Sequence, residues 1–223
     1  MDVLDNIYMS LTNTVPCGEQ GTRERWIMRT LIFLLIVTVF ASITFGQAIT
    51  GFSGGTEYAT YYGSATGDVI GWRFTVADDI LITDLGVWNM DSAGGLVSAH
   101  AVGVWDASEA LVTFATVDAT GTVVGDWIYA SVTPAVLPTG QIYTIGAVYF
   151  PDDNDLYISG ASAVTTDPDV TWLNSVYPLE GDLGFTYPEL DSSPTSGGRF
   201  GPNFLFNDTS LSRMSWGAIK TSL

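Results

Sequence analysis

Cysteine is almost missing from this chain: Cys17 is the only one in 223 residues. An intrachain disulfide is therefore excluded, and residues 49–223 hold no thiol for nucleophilic or metal-thiolate chemistry. Histidine is as scarce, with His100 alone. A Ser-His-Asp triad or a zinc centre would need that one imidazole, completed by hydroxyls or carboxylates. Beside small residues at the start of an expected strand, His100 reads as structural. Lysine is reduced to Lys220, and 7 Lys+Arg face 24 Asp+Glu, a net charge of −17. From residue 49 onward only Arg73, Arg199, Arg213 and Lys220 stand against 20 acids. Such a surface repels phosphate backbones and anionic headgroups, so nucleic acid is not an expected partner. Cations, neutral glycans and basic surfaces remain. Paired carboxylates can cleave glycosidic bonds, but among so many acids some pair always falls close, so pairing carries no information. The expectation is a domain that is not an enzyme.

What is present is apolar: hydrophobic residues make up 47% and charged residues 14%, unlike a disordered chain. Arg23, Arg25 and Arg29 precede the run Leu31-Ile-Phe-Leu-Leu-Ile-Val-Thr-Val-Phe40, which ends in Gly46-Gln47-Ala48. A basic patch, an apolar stretch and a small-residue exit describe a Sec signal helix, cleaved after Ala48 or, alternatively, after Gly46. The apolar run is short for a membrane span, which needs about 20 residues. No stable span is expected once the signal is removed. Residues 1–27 make an unusually long n-region, and Met28-Arg29 would itself open a compact signal. The expected division is 1–48, extension and signal peptide, and 49–223, one domain.

Beyond residue 50 no stretch sustains a helical period. Runs of Val, Ile, Thr, Tyr, Phe and Trp recur between Gly, Asp, Pro and Ser, which is the strand-and-turn signature. Strands are expected at 71–76, 79–89, 99–106, 110–117, 126–133, 142–150, 155–159, 203–206 and 214–219. Asp106-Ala-Ser-Glu109 joins two of them as a hairpin. The count suggests an all-β chain folded as an antiparallel, jelly-roll-like sandwich of two sheets. Residues 160–202 hold Pro168, Pro178, Pro188 and Pro194 and read mostly as a packed, aromatic loop.

Two sets of residues are candidates for a site. Asp152-Asp153-Asn154-Asp155 concentrates side-chain oxygens in a loop, which suits calcium, a hard cation taking six to eight oxygens. A solvated turn is the plain alternative. Trp72, Trp88, Trp105 and Trp127 fall in strands, where core packing is the default. Trp172, in the long loop with Tyr177 and Tyr187, is the candidate platform for stacking on a sugar.

Gly71-Trp-Arg-Phe-Thr-Val76, Ile82-Thr-Asp-Leu-Gly-Val-Trp88, His100-Ala-Val-Gly-Val-Trp-Asp106 and Leu137-Pro-Thr-Gly-Gln-Ile-Tyr-Thr-Ile-Gly-Ala147 follow in order, with Gly201-Pro-Asn-Phe-Leu-Phe206 near the end. Over roughly residues 52–206 this resembles a family of bacterial secreted β-sandwich domains of uncharacterised function. Such domains occur in exported proteins with the exosortase sorting tail PEP-CTERM, or beside surface and carbohydrate-active modules. The resemblance implies export to the cell surface or medium and brings no catalytic residues. Ser215-Trp-Gly-Ala-Ile-Lys-Thr-Ser-Leu223 lacks the sorting motif, so release or non-covalent surface assembly is expected. The expected function is a non-catalytic extracellular structural or interaction domain that associates with itself through open sheet edges. The alternative is a carbohydrate-binding module whose partner is an extracellular glycan.

Overall fold

Beta-branched and aromatic runs, punctuated by Gly, Asp and Pro, produce a chain in which every described element is a strand. The structure is a computed structural model and describes residues 45–59, 66–89, 95–151, 153–178, 184–191 and 197–209. The chain divides into Met1–Thr44 and Phe45–Leu223, and every described residue belongs to the second unit. The expected signal run at 31–40 and the expected strand 214–219 lie outside the described residues.

Among the described residues three antiparallel sheets form. In the first, the order is β1 (Gly46–Gln47), β14 (Pro202–Asp208), β4 (Ile80–Trp88), β8 (Trp127–Leu137) and β7 (Thr122–Val124). In the second it is β12 (Leu190–Asp191), β11 (Val170–Tyr177), β3 (Asp68–Val76), β9 (Tyr143–Tyr149), β5 (His100–Trp105) and β6 (Leu111–Val117). The third holds β13 (Gly198–Phe200), β10 (Tyr157–Thr166) and β2 (Ile49–Tyr58). The antiparallel all-β expectation holds, with three sheets where two were expected.

Period-2 alternation builds the interior. Ile70, Trp72, Phe74 and Val76 of β3 point to one side, where Trp72 and Phe74 meet Phe204 of β14 at ring distances of 5.9 and 5.0 Å. Burying one such ring stabilises by about 1.5–3 kcal/mol. Phe52 of β2 ties in the third sheet, 4.8 Å from Phe200, 5.5 Å from Trp127 and 5.7 Å from Trp88. The expected β5–β6 hairpin forms. Asp106 Oδ1 closes it by accepting from the Ser108 amide (2.8 Å), the Ser108 hydroxyl (2.6 Å) and the Ala110 amide (3.1 Å).

Residues 160–202 depart from the expected loop. They complete β10 and supply β11, β12 and β13. Pro168 sits in the turn between β10 and β11, Pro178 just after β11 and Pro188 just before β12, so these prolines separate strands and interrupt none. At that turn Asp167 Oδ1 accepts the Asp169 amide at 3.0 Å.

The chain passes directly from the first sheet to the third between Ala48 and Ile49. The Ala48 amide still bonds Phe204 C=O at 3.0 Å, continuing the β1–β14 ladder. At Ile49 the chain enters the third sheet, and the fully buried Asn203 amide replaces a strand partner. Its Oδ1 accepts the Ile49 N–H at 3.0 Å and its Nδ2 donates to Ile49 C=O at 2.9 Å. Asn203→Leu leaves both backbone groups unpaired in a dry interior, at about 1–3 kcal/mol each. Urea unfolding followed by tryptophan fluorescence should show a loss of about 3 kcal/mol.

Candidate functional site

The connection from β9 to β10 brings acids and the single histidine together. Asp153 (8% exposed) and Asp155 (3%) turn inward, while Asn154 between them faces solvent with φ +59°. His100, the first residue of β5, is fully buried, with its ring 5.0 Å from that of Tyr149.

The hydrogen bonds fix the ring's orientation. Nδ1 lies 2.6 Å from Val148 C=O and Nε2 lies 2.9 Å from Asp155 Oδ2. A carbonyl only accepts, so Nδ1 carries a hydrogen. Asp155 also accepts the Val97 amide on Oδ1 and the Ser98 amide on Oδ2, both at 2.8 Å. Asp153 Oδ1 accepts the Asp155 amide at 3.0 Å, while its Oδ2 is buried without a partner. One donor atom from each of His100, Asp153 and Asp155 lies within 4.8 Å of the others. The knot pins residues 97–98 and 153–155 to the ends of β5 and β9.

The two carboxyls are displaced in opposite directions. For Asp155, burial works against the charge, yet the bonds from His100 and the Ser98 and Val97 amides outweigh it and hold the group below its ordinary value. For Asp153, burial dominates and the charge of Asp155 adds to it, pushing the group up. Asp155 therefore contributes stability above the ordinary carboxylate range, and this is lost as pH falls through its lowered value. Asp153 has the reverse sign: its ionisation costs stability as pH rises through its raised value.

The calcium candidates divide. Asp153 and Asp155 converge, Asn154 points away, and Asp152 lies outside the described residues. The donor that completes the cluster is His100, a nitrogen ligand 55 residues away in sequence. Only the fold brings it there.

The stacking candidates divide as well. Trp172 is in β11 rather than a loop; it pairs with Phe74 and packs at 5.7 Å against Phe200, on the interior side. Tyr177 shares its strand, with the Arg199 guanidinium 5.5 Å from its ring centroid. Tyr187 is on the opposite face of the same sheet. Its hydroxyl accepts from Arg73 Nη2 at 3.3 Å, and its ring lies edge-on to Trp105 at 6.1 Å. The three rings do not form one platform.

That opposite face has a feature no spacing announced. Gly71, Gly146 and Gly103 stand side by side across β3, β9 and β5. With no side chains there, Trp105 and Phe185 lie down on the sheet: a Cβ at Gly103 would meet Phe185 at 2.6 Å. Phe185 in turn reaches Phe114 of β6 at 6.4 Å. Arg73 anchors the covering segment by bonds to Asp191 and to Glu189 C=O.

Neither protein-family models nor curated proteins show a match to this chain.

Asp155→Asn removes the partner of a buried imidazole and should cost about 3 kcal/mol in urea unfolding with chelator at pH 7. Asp153→Asn under the same conditions should leave stability unchanged or raise it, since burial and the neighbouring Asp155 charge outweigh the bonds that favour its ionised form.

Proposed function

We propose that the chain is a non-catalytic extracellular structural or interaction domain that associates with copies of itself at the cell surface or in a matrix. The observation that carries this reading is the free edge of the six-stranded sheet. β6 pairs with β5 on one side, and no other described strand pairs with its second side. On it Phe114 is 60% and Leu111 is 44% exposed. An open edge bearing apolar side chains is a template for strand addition, and lysine is the residue that most often guards against it. The strands 111–117 and 122–124 hold no charged residue at all.

The succession of strands supports a jelly-roll-like sandwich, since β3, β4 and β5 alternate between the two larger sheets. The resemblance of residues 52–206 to bacterial secreted domains, together with the signal-like run at 31–40, supports export by the Sec route. A glycan-binding reading rests on the rings of Phe114, Phe185, Trp105 and Tyr187 on one face. It ranks second because Trp105 is only 4% exposed and its faces are covered.

Sedimentation of the exported chain from micromolar to millimolar concentration should show mass rising with concentration. Phe114→Lys, a change at an exposed position, should hold the chain monomeric. A wild-type chain that stays monomeric at millimolar concentration contradicts the proposal.

The mature N-terminus is a second check. Gln47 Nε2 donates to Tyr129 Oη at 2.9 Å and Ala48 is fully buried, so removal of both would strip a ladder end. N-terminal sequencing of the exported form should find Gln47, from cleavage after Gly46. Ile49 as first residue would show that β1 is dispensable.

A further inference from the structure

We propose that His100, Asp153 and Asp155 form a binding site for one divalent cation of the Zn²⁺ class, which clamps residues 97–98 and 153–155 onto the ends of β5 and β9. The site is separate from the free edge of β6 and does not depend on association.

Three observations carry it. First, the ring of His100 meets acceptors at both nitrogens: Val148 C=O at Nδ1 and the Asp155 carboxylate at Nε2. With Nδ1 bearing hydrogen, a neutral imidazole would turn a lone pair toward a carboxylate 2.9 Å away. A positive charge must lie between the two atoms, either a proton on the line joining them or a metal ion to one side of it. A ring whose Nδ1–H is held by a backbone carbonyl while Nε2 faces outward to a carboxylate is oriented as a metal ligand is. Second, Asp153 Oδ2 is buried and unpartnered in a residue only 8% exposed, and the Asp153 carboxylate belongs to the same cluster. An orphaned carboxylate oxygen in a dry site asks for a positive partner. Third, the charges close. Two carboxylates and a neutral imidazole balance one divalent cation.

The donor set selects the class. One imidazole nitrogen with two carboxylate oxygens suits Zn²⁺, with bonds of about 2.0–2.2 Å and a fourth tetrahedral position left for a further oxygen. Calcium requires six to eight oxygens and gains little from an imidazole. Tetrahedral geometry places adjacent donors about 3.3–3.5 Å apart. His100 Nε2 and Asp155 Oδ2 then need to separate by only a few tenths of an ångström. Asp155 can stay on the Val97 and Ser98 amides through its remaining lone pairs. In a domain without cysteine, such a clamp joins distant loops as a disulfide would.

The test is calorimetric titration of the exported chain, made without a histidine tag and treated with chelator, using Zn²⁺, Mn²⁺ and Ca²⁺ in turn. Zn²⁺ should bind one per chain at micromolar Kd or tighter, with Ca²⁺ far weaker. Free Zn²⁺ at 100 times Kd should raise the melting temperature by about 5–10 °C. His100 substitutions risk unfolding the chain, so Asp153→Asn is the decisive variant, its fold checked by circular dichroism. Its Zn²⁺ affinity should fall by roughly 100-fold or more. Equal affinity in Asp153→Asn overturns the proposal. So does a folded wild-type chain that binds no Zn²⁺, which would show that a proton holds the knot, and so does a preference for Ca²⁺.

Discussion

At Ile49 the chain leaves one sheet for another, and the side chain of Asn203 stands where a strand would have been. The arrangement of the three sheets depends on that substitution. Without it, two backbone groups would be buried unpaired at the corner where β1 gives way to β2. The residues on either side of Asn203 join in. Pro202 C=O accepts the Trp72 indole N–H at 2.9 Å, and Phe204 stacks on the Trp72 ring. Three consecutive residues of β14 thus hold the first sheet to the second by an indole and to the third by an amide. Aromatic mass and side-chain amides do here what disulfides do in many exported domains.

Much of the architecture could be read from the sequence, because strands with one buried face announce themselves by alternation. β3, β4, β5, β6, β8, β9 and β14 all lie within or around expected runs. The strands that stayed hidden have no such pattern. β2 contains Gly51, Gly54 and Gly55 and exposes most of its second half. β10 begins inside the expected run 155–159, but its remainder is built of small and polar residues, Gly160-Ala161-Ser162-Ala163, and bulges where it pairs with β2. Composition around Pro168 and Pro178 suggested a loop, when those prolines only mark strand ends. The candidate sites show the same division. Asp153 and Asp155 stood out as local acidity, but their partner His100 is brought in by the β5–β9 pairing, and no local pattern encodes that. The alignment of Gly71, Gly146 and Gly103 is likewise a property of register, visible only once β3, β9 and β5 are paired.

The two features proposed to have a function occupy different environments and make different demands. The His100 knot is interior, and its groups satisfy one another or a cation. β6 is at the edge, where Phe114 and Leu111 are largely exposed and no described strand pairs with its second side. The segment 184–191 covers the glycine row, and its Phe185 touches the ring of Phe114 while leaving that ring largely exposed. A sheet covered over its centre and exposed at its last strand is the arrangement on which the proposed strand addition rests.

Association through β6 is the central claim, and amide hydrogen exchange measures it residue by residue. The chain should be exchanged at micromolar and at millimolar concentration. Slowed exchange at 111–117 in the concentrated sample, with other strands unchanged, is the predicted result. Identical exchange at 111–117 in both samples would contradict the account.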